Sequence, residues 1–313
     1  MFRDDGMTRM PTGGGNNNKY LFTGDSQVVG GVTLWRIAKV SSGEIGGWLE
    51  SPSKLAAEGD CWVGGNAIVM NQAIVSDSAS VSGNAIVSGR ATISGRANVA
   101  GGFFSGDCSV SGTCCVSDNA RIEGYAKLFG GTIYGVAHIK GNAKITGGDI
   151  SGGYIAGNAQ ISGGEISPDG GLDGINIYGS ATVSGGEIHG GKIYGHAKIG
   201  ESAKVTGGHI SGGRVGGEAV VSGGEITEDI FSRGANIYGH AVIRGGRISG
   251  GNIYGHATVD SNARITGGSI FGSSVIRGRA HIKSGIYAEG VYESLELGNN
   301  EMGTYEKYKT DFK

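Results

Sequence analysis

The chain has 313 residues, 65 of them Gly and only 3 Pro, with 26 Lys and Arg against 28 Asp and Glu and a formal net charge of −2. That Gly content, about three times the usual fraction, is spaced among Val, Ile and Ala, which excludes a disordered Gly-rich linker and a collagen alike. A near-neutral balance without runs of one sign gives no footprint for a nucleic-acid partner, and no stretch approaches the roughly 18 apolar residues of a membrane span.

Residues 1–18 are polar and aperiodic and read as a flexible tail. They lack the apolar core of a signal peptide, so a cytoplasmic location is expected. Residues 19–60 change character: Trp35 and Trp48 lie here and Trp62 just beyond, and no period holds. Bulky, non-repeating text ahead of a repeat is what a capping segment should look like.

The solenoid is expected over residues 61–285. Val63, Val69, Val75, Val81, Val87, Ile93 and Val99 recur every six residues, and Ala67, Ala73, Ala79, Ala85, Ala91 and Ala97 keep the same interval. Such a period suits neither a helix nor a hairpin sheet, and it predicts an all-β fold, a parallel β-helix or β-solenoid. The hexads continue more loosely through Val110, Val116, Ile122 and Leu128. Beyond them the inward candidates fall at 5, 5 and 6, as in Ile145, Ile150, Ile155 and Ile161, with Gly-Gly on the five-residue sides supplying the φ values of a shortened corner.

A longer period of 60 is superimposed, carrying Ala143-Lys144-Ile145 to Ala203-Lys204-Val205 and Ala263-Arg264-Ile265. Each 60 contains one hexad more than three-sided coils absorb. Two accommodations are open: the phase slips by one side per long repeat, or the hexad bulges out. Six-residue insertions lie near Asp169 and Asp173 in the first long repeat and near Glu228, Asp229, Phe231 and Arg233 in the second, and these loops are candidate binding elements. Residues 286–313 lose the repeat and read as a C-terminal cap or docking tail.

The hexads from Val63 to Val99 resemble the hexapeptide-repeat family. That resemblance implies a three-sided, left-handed winding and a possible homotrimer joined through flat sides. More narrowly, Phe22-Thr23-Gly24, Gly46-Gly47-Trp48-Leu49-Glu50-Ser51 and Glu58-Gly59-Asp60-Cys61-Trp62-Val63 look like the leader of repeat proteins encoded by bacteriophages and prophages. This second likeness implies a phage context, with a place in the host cytoplasm or the virion.

Many hexapeptide proteins are acyltransferases with a catalytic His between subunits, so the seven His deserve weighing. His196, His240 and His256 all stand in Tyr-Gly-His-Ala, and a residue recurring in equivalent coils reads as a ladder rather than a catalytic base. His240 and His256, 16 residues apart, raise a metal site, but no Asp or Cys recurs with them. Tyr178 and Tyr194, like Tyr238 and Tyr254, are also 16 apart and form candidate aromatic stripes for a sugar or protein partner. A glycan adhesin would need all four on one face. Glu165, Glu187 and Glu225 supply carboxylates for glycoside hydrolysis without separating an acid from a base. Asp149, His209 and Ser269 share one slot of the long repeat and read as a solvated face. The four Cys lack CxxC spacing, and adjacent Cys114 and Cys115 should face opposite sides of a strand, as buried or surface thiols. The expectation is a rigid binding or structural protein, with no catalytic residue, metal or cofactor assigned and a protein or glycan as partner.

Overall fold

The computed structural model describes residues 19–167, 175–185, 187–188, 191–193, 197–200, 202–205, 207–210, 213–227, 235–293 and 296–297. The expected N-terminal tail, both insertions and most of the C-terminal tail lie outside them. Among the described residues the fold is all-β with one 3-10 turn, Pro52–Lys54, and no helix long and apolar enough to cross a membrane. The chain divides into two compact units, Met1–Gly147 and Gly148–Lys313. Both are parallel β-solenoids.

In the first unit the non-repeating segment is an antiparallel meander of β1 (Tyr20–Val29), β2 (Val32–Lys39) and β3 (Ile45–Leu49). A two-residue Gly30-Gly31 turn with positive φ joins β1 to β2, matching the twist of the hairpin. Leu34, Ile37 and Leu49 are fully buried beneath it. The meander covers the first coil by pairing with it. Trp48 and Leu49 of β3 pair in parallel with Ile68 and Val69, so the segment enters the solenoid as a strand of one wall.

Three walls follow, each a parallel stack of two-residue strands named here by its first inward residue. The Val63 wall runs on through Val81, Val99, Val116 and Ile133. The Val69 wall runs through Val87, Phe104, Ile122 and Ile139, and the Val75 wall through Ile93, Val110, Leu128 and Ile145. Each inward side chain and nearly every intervening Ala is fully buried, forming a core of stacked aliphatic groups. Coils are tied by backbone bonds such as Gly64 N–H to Val81 O at 2.8 Å and Ile68 N–H to Ala85 O at 2.8 Å, which satisfies the polar backbone of strands too short to do so otherwise.

The second unit repeats this plan on the Ile150, Ile155 and Ile161 walls. Its 5, 5, 6 spacing is as the sequence predicts, with Ile150, Ile155, Ile161, Val183, Ile188, Ile193 and Ile199 all inward and buried. Register also decides between the two accommodations of the extra hexad. Val205 lies on the Ile150 wall, between Ile188 and Val221, whereas Ile265, 60 residues on, lies on the Ile155 wall between Ile248 and Ile282. The extra hexad is an ordinary side, and the phase slips by one wall per long repeat. Equivalent features are thereby delivered to successive corners. The first insertion connects the Ile150 wall to the Ile155 wall, and the second connects the Ile155 wall to the Ile161 wall.

Candidate functional site

The corner that follows the Ile161 wall gathers four of the sequence-predicted residues, Tyr238, Tyr254, His240 and His256. Gly239, Gly255 and Gly272 turn the chain there at φ of 68°, 66° and 60°. Each turn places the residue before it, Tyr238, Tyr254 or Phe271, in one column and the residue after it, His240, His256 or Ser273, in another. Tyr238 and Tyr254 stack with centroids 4.9 Å apart and planes 1° apart, and Tyr254 and Phe271 at 4.9 Å and 9°. His240 and His256 stack likewise at 4.9 Å and 3°. On the coil before them, Glu218 Oε2 lies 3.1 Å from His240 Nδ1.

This geometry changes what the aromatic stripe can do. Two coplanar six-membered rings cannot lie side by side at 4.9 Å without their edges colliding, so these rings overlap face on face. The facing sides of these three rings are therefore occupied by neighbouring rungs, so that beside the ring edges and hydroxyls only the outer faces at the two ends of the ladder, that of Tyr238 lying opposite Gly216 of the preceding coil, are not covered by another ring. The stripe is a ladder that locks coil to coil.

Nor do the Tyr share one face. Tyr178 follows Ile177 on the Ile155 wall, whereas Tyr238 and Tyr254 follow Ile237 and Ile253 on the Ile161 wall, because of the phase slip. Tyr194 and His196 lie outside the described residues, as do Asp169, Asp173, Glu228, Asp229, Phe231 and Arg233. The parallel imidazoles of His240 and His256 direct their nitrogen lone pairs along parallel planes rather than toward one point. Among the described residues no group of three or more His, Cys, Asp or Glu is placed to hold a metal ion.

Cys61, Cys108 and Cys114 are buried and Cys115 is exposed, all as free thiols. Cys114 and Cys115 do face opposite sides. Burial pushes the Cys108 and Cys114 thiols up to about 12, leaving little thiolate at neutral pH.

Three arrangements escape a sequence reading. His138 Nε2 lies 3.1 Å from Glu123 Oε2 on the Val69 wall, both half-buried. At the meander, Lys19 Nζ donates to Gly59 O at 2.9 Å and approaches Cys61 Sγ at 3.2 Å, while Lys39 Nζ sits 4.8 Å from the centre of a Trp62 ring. On the Ile155 wall a shallow depression of about 260 Å3 is lined by Glu225, Thr227, Arg247, Ser249 and Arg264. In each case the residues come from different coils, 15 to 42 positions apart in the chain. The 16- and 60-residue periods were the available signal, and they mark columns without saying which column matters.

No protein-family model matches this chain, and no curated protein sequence matches it significantly.

Proposed function

We propose that the chain is a non-enzymatic, rigid β-solenoid acting as a structural or binding element, encoded by a bacteriophage or prophage. The observation that carries the structural part is the coil-to-coil register. Among the described residues the inward residue of each solenoid strand is a buried aliphatic or aromatic group, and outward residues are held in columns at one strand spacing, about 4.8 Å. A surface so fixed loses little further entropy when a partner binds, which favours recognition by extended contact over chemistry in a deep pocket. The phage part of the reading, and a left-handed winding, rest on the resemblance of the hexads and of the leader through Val63.

Self-association belongs to the same reading. On the Ile150 wall the outward residues Val220, Val242, Thr258, Val275 and Val291 form five consecutive β-branched rungs, a flat surface suited to another flat wall. A homotrimer joined by that wall predicts three times the chain mass in light scattering, reduced to the chain mass by Val242→Lys.

Mass spectrometry of purified virions from a phage carrying this gene, beside infected-cell lysate, tests the role. The chain is expected in the particle. Recovery from lysate alone would end the virion reading and leave an intracellular binder.

A further inference from the structure

The 60-residue period provides a comparison inside the chain. Ile150, Ile166, Ile188 and Val205 are inward on the Ile150 wall, and their equivalents Ile210, Ile226, Ile248 and Ile265 are inward on the Ile155 wall. The core is kept. The residues just before them are not: Asp149, Glu165, Glu187 and Lys204 in the first copy become His209, Glu225, Arg247 and Arg264 in the second. Three carboxylates and an ammonium are replaced by an imidazole, one carboxylate and two guanidiniums. In the first copy the single cation, Lys204, is registered beside a carboxylate residue, Glu187. In the second, Arg247 and Arg264 are registered beside each other.

Two like charges on adjacent rungs repel one another, and only one of them is offset. Arg247 Nε donates to Glu225 Oε2 at 2.8 Å. Arg264 is exposed and has no ion-pair partner among the described residues. Two positions further along the same strands, on the same outward side, stand Thr227 and Ser249, and with the charged column they line the depression of about 260 Å3. Guanidinium forks one strand spacing apart, with hydroxyls beside them, provide the donor set that a tetrahedral oxyanion accepts.

We infer that this strip is an oxyanion-binding site whose ligand is a sulfate or phosphate group bridging Arg247 and Arg264, with Ser249 and Thr227 as hydroxyl partners. The site deepens the reading of the solenoid as a binding surface and rests on it. Glu225 holds Arg247 in place, and Arg264 supplies the uncompensated charge.

The test is titration of the full chain with sodium sulfate and with inorganic phosphate at constant ionic strength, observing the arginine side-chain Nε–H signals. The Arg247 and Arg264 signals are expected to shift saturably and the other arginines to stay. Arg264→Gln should weaken binding about tenfold or more. Arg247→Glu, which restores the carboxylate of the first copy, should abolish it, while Arg214→Gln on the Ile161 wall should leave it unchanged. Dextran sulfate distinguishes a polymer-borne group from a free ion: tighter binding per sulfate assigns the site to an acidic polymer, and equal binding to the ion. Linear shifts spread over all arginines would overturn the inference. So would low-salt self-association abolished by both Arg264→Gln and Glu165→Gln, which would make the partner the acidic strip of another copy. Neither result would touch the virion measurement, so the broader reading fails or stands separately.

Discussion

In the first unit, six successive corners from Gly65 to Gly95 are built alike, with the second residue after each inward Val or Ile at φ between 59° and 65°. In the second unit the five-residue corners instead hold a Gly at φ near 90°, as at Gly208, Gly224, Gly246, Gly251 and Gly268. The two values demand different residues. Near 60° lies the left-handed well that Asn and Asp tolerate, and Asn71, Asp77 and Asp118 stand there in place of Gly. Asp77 gains from it, since its Oδ2 accepts the N–H of Gly95 on the next coil at 2.8 Å. Near 90° the backbone is outside that well and only Gly fits without strain. A six-residue side thus leaves its corner open to polar side chains, whereas a five-residue side fixes it as Gly.

The largest expected effect is where the first unit departs from its own rule. Between Val99 and Phe104 the side has five residues, with Gly102 at φ 91°, and it brings in Phe104, among the largest fully buried side chains. Phe104→Ala should cost about 3–5 kcal/mol in urea denaturation, because stacked coils cannot collapse into the space. A cost under about 1 kcal/mol would mean that shortened sides do not control the core.

The corner rule itself is broken or upheld by a pair of equivalent substitutions. At Gly246 an added Cβ would meet Ala263 O at 2.6 Å, and φ is 88°, so Gly246→Asn should cost about 3 kcal/mol. At Gly65 the nearest atom is Gly83 N at 3.1 Å and φ is 59°, so Gly65→Asn should stay within about 1 kcal/mol. Equal costs, measured by thermal unfolding, would remove the distinction between the two regions.

The same contrast explains what could be read from the amino acids. Val63 to Val99 were legible because one residue type recurs at one position of an unbroken period. The 5, 5, 6 coils were legible because Gly-Gly marks each shortened side. The slip of phase between Val205 and Ile265 was not, since an ordinary side and a bulged hexad need the same residues; only strand register separates them. The same uncertainty left the corner of Tyr178 open, and register assigns it to a different corner from Tyr238 and Tyr254. The Glu225, Arg247 and Arg264 strip stayed hidden because charges on a solvated column vary freely while the core repeats.

A middle-sized effect separates ladder from platform. Tyr254 is stacked on both sides, by Tyr238 and by Phe271. Tyr254→Ala should cost about 1–3 kcal/mol by removing both stacks. Tyr254→Phe keeps them and should change stability by less than about 0.5 kcal/mol. If Tyr254→Ala is as silent as Tyr254→Phe, the stripe does not brace the coils, and its edges become the better candidate for contact with a partner.

The smallest effect concerns charge on the first unit. Arg90 Nη2 donates to Asp107 Oδ2 at 2.8 Å, and a second bond joins Arg90 Nε to Oδ1. The hydrogen bond from Arg90, the largest influence, acts with the Arg90 charge against partial desolvation and holds the Asp107 carboxyl below its ordinary value. A carboxylate depressed in the folded state stabilises above its unfolded pKa and loses that contribution as pH falls through the folded value. Wild-type protein should therefore lose slightly more stability between pH 5 and pH 2 than Asp107→Asn does, with the two converging at the acid end. Solvent and salt screen so exposed a pair, and the difference should shrink further in high salt. A difference that persists there would mean that Asp107 acts on the corner backbone, as Asp77 does at Gly95, rather than through its charge.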